Sequence, residues 1–449
     1  MRKGLIIGSG LAGLTCAKVL IDHGIRDFYL LEKTEKPGGR VCTDRVEGFY
    51  LDRGFQVLFT AYPMVQKHLD LQQLEVRAYR PGAVLVKAGR SFCIGDPFRD
   101  LASLGSSLTN PLLPFIDKLR ILQLRFRLWQ TDAQAILQEP DLSTEKFVQQ
   151  FGFSQSTFQH FLQPFYRGIL LDPNLETSAR LFKFYFKMLS EGEIVTPRLG
   201  MGQISEQLAR ILDPGQIRYH HPVKKILIGD QSIPGSLGGS SDESVQGVEL
   251  QNGEILKADW IVCAVDLPAL RELFPQGSQY LPTSLPDGSW SVVCLYFAGV
   301  VSLTKGAYIH LNATGQGWIN SCVQLTQVSP DLAPEGQHLY SVVSLGNPAM
   351  SDEDLIHACH QELQQWFPGY SPEYLTKNLR CLCLYRIPFA QFAQPPGIQD
   401  YLPDGSTPIQ NLIYAGEYTH QSSIEGAMRS GESAAYRVLD LLRIPYQSS

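Results

Sequence analysis

At 449 residues the chain is longer than one hydrophobic core normally fills, so two domains are expected. Its 44% apolar and 18% charged residues exclude a disordered chain, and a net charge of −6 excludes a nucleic-acid-binding surface, which needs a basic excess. The nine cysteines contain no Cys-x-x-Cys motif, which predicts reduced thiols in a cytoplasmic-type compartment and no metal centre.

In chain order, Met1-Arg2-Lys3 and the apolar stretch to Ile21 have the look of a secretion signal. Glycines at 8, 10 and 13 are better explained by a strand and a tight turn. Lys3 to Ile7 fits a buried parallel strand, and Leu11 to Ile21 a helix. Between them lies Gly8-Ser9-Gly10-Leu11-Ala12-Gly13. In such a turn the first glycine permits the bend, the second lets a pyrophosphate approach the backbone, and the third lets helix and strand pack closely. The helix N-terminus offers unpaired N–H groups to the phosphates. A second strand, Asp27 to Leu31, ends at Glu32, with Lys33 beside it. An acid at that spacing accepts hydrogen bonds from a ribose and repels a 2′-phosphate. These elements predict a Rossmann-like α/β dinucleotide site without choosing between NAD and FAD.

The next segment, Pro37-Gly38-Gly39-Arg40-Val41, makes that choice. With it the chain resembles the FAD-dependent amine oxidase and carotenoid desaturase superfamily, whose members follow the ribose-binding acid with Gly-Gly-Arg. The resemblance implies noncovalent FAD, with Gly39 close to the cofactor and Arg40 neutralising its pyrophosphate. It places Gly54, Phe55 and Gln56, within Asp52 to Pro63, near the isoalloxazine. That segment is similar to one in plant-type phytoene and zeta-carotene desaturases, although Gln56 stands where they usually carry His and Arg53 is unusual. Val223 falls where family members touch adenine through the backbone. Gly416 and Glu417 match the second signature, whose acid binds the ribityl or pyrophosphate region. The helix Ile424 to Leu442, with Ala427 and Met428 in its first turn, would aim its N-terminus at the flavin pyrimidine.

Other elements complete the pattern. Gly202 to Leu212 reads as a helix, Ile217 to Ile228 as strands, and Val245 to Ala264 as a hairpin turning at Asn252-Gly253. Gly229 to Ser244, rich in Gly and Ser, reads as a surface loop. His357 and His360 share a helix face and are read as solvated. The interleaving predicts a discontinuous FAD-binding domain, residues 1–62, 200–270 and 405–445, and an α+β substrate domain, 63–199 and 271–404.

Two departures bear on substrate. Monoamine oxidases carry two cage tyrosines and a flavin-linking cysteine; this chain has Ser423, Ala390 and Phe389 at the matching positions. The resemblance therefore implies desaturation of an apolar isoprenoid or polyene by hydride transfer to flavin N5, with a quinone or O2 as electron acceptor. Amine or amino-acid oxidation, protoporphyrinogen-type oxidation and carotene isomerisation stay open, and no catalytic base is assigned. Finally, Phe115 to Trp129 is apolar on two faces, Phe115-Leu119-Leu122-Phe126-Trp129 and Ile121-Leu124-Leu128, with basic stripes between. Burial of both faces, or a subunit contact, is the default. A peripheral membrane contact is the alternative, with Leu124 and Leu128 on its lipid side. No apolar run is long enough to span a bilayer.

Overall fold

The computed structural model describes residues 3–96, 99, 110–230, 243–275, 278–282 and 284–446. Gly4–Ile7 is the central strand of a five-stranded, wholly parallel sheet. The strand order is Ile217–Arg218, Phe28–Leu31, Gly4–Ile7, Trp260–Cys263 and Leu412–Tyr414. Ile6, Leu30, Val262 and Ile413 pack on one face in a core shared with helices Leu11–Asp22 and Ile424–Leu442. Leu5, Ile7, Leu31 and Ile261 pack on the other face with Leu267 and Leu270. Burial on both faces is why these strands are continuous apolar runs rather than alternating ones. The expected α/β class is the observed one.

A second, seven-stranded mixed sheet runs in the order Leu379–Phe392, Ser289–Gly299, His338–Leu345, Ser321–Gln324, Ile309–Asn312, Gly82–Lys87, Arg90–Gly95. Its neighbours are antiparallel except Ile309–Asn312 with Gly82–Lys87. Phe165 of the helix Gln163–Leu170 packs against both the helical and the sheet core, and Phe182 of the helix Ala179–Glu191 lies within the helical one.

Three local expectations change. The loop read over Gly229 to Ser244 is narrower, because strands continue through Asp230 and restart at Glu243; residues 231–242 lie outside the described set. His357 is exposed, but His360 is half-buried beside the Phe297 ring, since its turn of the helix Asp352–Trp366 lies on the sheet.

The third concerns the helix Phe115–Trp129, which is not buried on both sides. Leu124 and Leu128 are covered, and Lys187 from the helix Ala179–Glu191 donates to the Leu128 carbonyl at 3.0 Å. The opposite face stands in solvent, with Phe115 64%, Phe126 59% and Trp129 66% exposed. The outward face is thus the Phe115 face, not the Leu124 and Leu128 face.

Candidate functional site

The strand Gly4–Ile7 hands the chain to a turn that glycine makes possible. Gly8 has φ +98°, where a β-carbon is strained and would lie 2.7 Å from the Ala264 carbonyl oxygen. A β-carbon on Gly13 would lie 2.0 Å from the Gly8 carbonyl oxygen, so the helix sits hard against the turn. At Gly10 nothing lies within 4 Å of such a carbon, leaving a bare backbone surface. Gly10 caps the helix without a side-chain hydrogen bond, so the first N–H groups stay available to an anion. The Gly38 N–H donates to the Ser9 carbonyl at 2.8 Å, which brings Gly39 and Arg40 alongside the turn.

Glu32 is 6% exposed, and its two oxygens take four protein donors. Oε2 accepts from the Ser9 N–H at 3.0 Å and Ser9 Oγ at 2.6 Å, and Oε1 from the Thr34 N–H at 2.9 Å and Thr34 Oγ1 at 2.8 Å. Burial alone would raise its pKa; those donors outweigh burial and hold it below its ordinary value. The carboxylate is thus charged and oriented before any ligand arrives. A ribose hydroxyl would share it with the two rotatable side-chain hydroxyls.

Arg40 links distant parts of the chain. Its guanidinium Nη1 lies 2.7 Å from Glu417 Oε1, donates to the Ala390 carbonyl at 2.8 Å, and rests over the Phe389 ring at 5.6 Å. Nη1 carries two hydrogens, so Glu417 Oε1 is ion-paired to the same nitrogen that serves Ala390. Its other oxygen accepts from Ser422 Oγ at 2.8 Å. The Gly416 N–H is held by Ser430 Oγ at 2.7 Å, and Ser423 caps the helix Ile424–Leu442 by accepting from the Gly426 N–H at 2.9 Å. Gln56 donates from Nε2 to the Arg40 carbonyl at 3.0 Å, and its Oε1 has no partner.

These groups border one cavity of about 700 Å³. Its lining includes Glu32, Lys33 and Val223 together with Gly8, Gly10, Leu11, Ala12, Gly39, Arg40, Gly416 and Glu417. It also includes Gly54, Phe55, Gln56, Ile424 and Ala427, and an apolar end formed by residues such as Phe165, Ile169, Leu171 and Leu311. Ser9, Gly13 and Met428 do not border it. Ser9 acts through Glu32, Gly13 through packing, and Met428 is wholly buried in the helical core. A cavity bordered by a charged carboxylate, bare glycine backbone and a helix N-terminus, with unpartnered acceptors at Gln56 Oε1 and Gln391 Oε1, fits FAD.

The family model for flavin-containing amine oxidoreductases matches residues 11–439. The chain belongs to this family. As a member it is an enzyme, an FAD-dependent oxidoreductase, and FAD is its cofactor. It is similar to the 15-cis-phytoene desaturase of Synechococcus elongatus, with 22% identity over 97% of this chain and 95% of that one. A probable zeta-carotene desaturase of the same organism is 26% identical over 97% of this chain and 98% of that one. Among solved structures, an oxidoreductase from Methanosarcina mazei superposes with a TM-score of 0.71 at 20% identity, covering 98% of this chain and 100% of that one. That likeness establishes the shared fold.

In this family member Ala390 and Ser423 border the cavity, so no tyrosine ring narrows it at those positions. Several participants carry no motif of their own. Arg53 makes two bonds of 2.9 Å to Asp44, which also accepts from Lys36 at 2.6 Å and Tyr385 at 2.9 Å. Burial raises the Asp44 pKa, but these donors hold it well below the ordinary range, and the ionised network fixes the cavity rim. Thr34, Ser422 and Ser430 were missed because short hydroxyls are common and their partners lie elsewhere in the chain, apart from the Asx-like reach of Thr34 back to Glu32.

Asp52 behaves in the opposite sense. Its Oδ1 accepts from Thr43 Oγ1 at 2.5 Å and from the Met201 N–H at 2.8 Å, yet burial pushes its pKa from 3.8 up to about 6. The folded state therefore holds a proton that the unfolded chain releases, and this contribution is present below about pH 4 and lost as pH rises through 6. Measured against Asp52→Asn, wild-type stability is expected to fall by roughly 2 kcal/mol between about pH 4 and about pH 7. That figure is reduced from full linkage because the residue is only half-buried. Urea unfolding of both proteins at the two pH values checks this; a stability gap independent of pH refutes it.

Proposed function

We propose that the protein dehydrogenates an apolar isoprenoid or polyene substrate, a reading carried by the continuity of the FAD cavity with an uncaged apolar end. Glu32, Lys33 and Val223 are assigned to the adenosine, and Gly8 to Gly13 with Gly39 and Arg40 to the pyrophosphate. Gly416 and Glu417 are assigned to the ribityl chain, and Gly54 to Gln56, Ile424, Ala427 and the Met428 backbone to the flavin, bound without a covalent link. Residues 1–62, 200–270 and 405–445 would form the cofactor unit, and 63–199 and 271–404 the substrate unit. The names of the curated relatives, phytoene and zeta-carotene desaturase, support this class of substrate.

FAD, when bound, supplies hydride acceptance at flavin N5. The substrate loses a hydride and, from the adjacent carbon, a proton, so that two electrons leave and a C=C bond forms. The protein's part is placement and water exclusion. Phe165, Ile169, Leu171, Ile309, Leu311 and Val343 hold an apolar chain by burial and dispersion, without charges that would favour one end. Tyr62 and Tyr185 also border the cavity, but burial raises both phenol pKa values, so they stay protonated and pack rather than act as bases. Gln56, pinned through Nε2, keeps its amide oxygen as a fixed hydrogen-bond acceptor; an amide is too weak a base to take the departing proton, which leaves to solvent.

The test is anaerobic mixing of FAD-loaded protein with a carotene in detergent micelles and, separately, with primary amines. Loss of the visible flavin band with the carotene, together with a longer conjugated product, is expected. Bleaching by an amine alone would sink this reading in favour of amine oxidation. Isomer conversion with unchanged conjugation would assign isomerisation instead.

We further assign the exposed face of the helix Phe115–Trp129 to a bilayer surface. Six large apolar side chains, Phe115, Ile116, Leu119, Leu122, Phe126 and Trp129, are exposed there, and Lys118, Arg120, Arg125 and Arg127 flank them. Ile121 of the same helix and Phe165 of the cavity wall pack against the same core clusters, which ties this helix to the apolar end. Among the described residues no helix is long and apolar enough to cross a membrane. The compartment is assigned as cytoplasmic, because all nine cysteines are free thiols. The electron acceptor is assigned as a quinone, which can be drawn from the bilayer, or O2.

A further inference from the structure

Among the polar residues beside the apolar end of the cavity, Ser321, Gln391 and Asn320, the last is distinct in its side chain. Its backbone is committed to the sheet: the N–H donates to the Val343 carbonyl at 2.8 Å, and the carbonyl accepts from the Asn312 N–H at 3.0 Å. Its side chain is not committed in the same way, although the residue is only 3% exposed. Oδ1 accepts from Arg167 Nε at 2.5 Å, which orients the amide, and Nδ2 has no hydrogen-bond partner in the protein.

Gly168, which also borders the cavity, leaves room at that nitrogen. A β-carbon there would lie 3.0 Å from Asn320 Nδ2, so any side chain would press on the amide. Gly168 lies inside the helix Gln163–Leu170, where glycine is unfavourable compared with alanine. Arg167 adds a second asymmetry. Among the described residues it has no carboxylate partner, and burial lowers its pKa. A cation at the amide oxygen polarises the group and strengthens Nδ2 as a donor. A hydrocarbon in this cavity would leave that donor desolvated and unpaired in every complex.

We propose that Asn320 is a specificity contact, donating from Nδ2 to an acceptor oxygen, keto or carboxylate, carried by the substrate. This rests on the isoprenoid or polyene reading above and narrows it: the substrate is an oxygenated chain rather than a pure hydrocarbon.

The experiment titrates FAD-loaded full-length protein with three polyenes of one carbon skeleton, a hydrocarbon, a ketone and a carboxylic acid. Binding is read by quenching of tryptophan fluorescence. An oxygenated ligand is expected to bind roughly tenfold or more tightly than the hydrocarbon. Asn320→Leu should bring that ratio close to one, and Gly168→Ala, a helix-favouring change, should reduce it with Asn320 intact. Equal affinities for all three ligands in the wild type, or a preference that survives Asn320→Leu, overturns the proposal and leaves the polyene reading standing. If none of the three binds, the polyene reading falls and takes this proposal with it.

Discussion

Gly13→Val is expected to yield protein that purifies without visible flavin and unfolds at a lower temperature than the wild type. The first atom added at this position would lie 2.0 Å from the Gly8 carbonyl oxygen, 3.2 Å from its carbon and 3.4 Å from the Ala264 β-carbon. The nearest of these are backbone atoms, which cannot rotate away, so the helix Leu11–Asp22 must move off the turn. Overpacking of this kind costs about 3 kcal/mol. The same movement takes the helix N–H groups out of line with the bare backbone of Gly10, and a loss in FAD affinity on the order of 100-fold follows at 1.4 kcal/mol per decade. Gly10→Ala separates the two effects. Its β-carbon would meet no protein atom within 4 Å, so stability should be unchanged while the added methyl stands where phosphates approach. Thermal unfolding and retained flavin absorbance measure both quantities. Wild-type flavin retention in Gly10→Ala would remove the turn from the pyrophosphate site.

Phe126→Glu combined with Trp129→Glu is expected to abolish flotation with anionic vesicles. Both rings are more than half exposed, so the protein fold does not depend on them, and burying such a side chain is worth about 1.5–3 kcal/mol. Losing two of them and adding two negative charges near anionic headgroups should lower partitioning by on the order of 100-fold or more. Binding of the wild type should also weaken with salt, since the flanking cations act through a screened field. Leu124→Glu serves as the contrast. It places a charge in a fully buried position and should unfold the helix contact rather than test lipid binding. Flotation of the double variant at the wild-type level would discard the bilayer assignment.

The Phe115–Trp129 helix also marks where sequence reasoning stops. Its periodicity defined two apolar faces, but both are apolar enough to be core, and nothing local distinguishes the one that meets Lys187 and its helix. The neighbour decided it. The glycine turn was legible because its requirements are local: a positive φ at Gly8 and a close strand–helix approach at Gly13 allow almost no other residue. The carboxylate at Glu32 was legible by spacing. Its saturation by Ser9 and Thr34 was not, because hydroxyls of this kind carry no distinguishing pattern.

Strand order shows the same division. Each parallel strand could be read as a short apolar run, but the placement of Trp260–Cys263 between Gly4–Ile7 and Leu412–Tyr414 came only from the sheet. The cavity's two ends differ likewise. Its nucleotide half follows from motifs within single segments or two matched signatures, and these were sufficient to choose the cofactor. Its apolar half is assembled from segments far apart in the chain, those of Gly168, Asn320 and Val343, which bear no shared spacing. By itself the sequence determined the turn, the helix and the acid that suit a dinucleotide, because backbone sterics and charge act over a few residues. Which apolar face is covered, which donor is left unpaired, and which side chains line the cavity were decided by tertiary packing, because each depends on neighbours that only folding brings into contact.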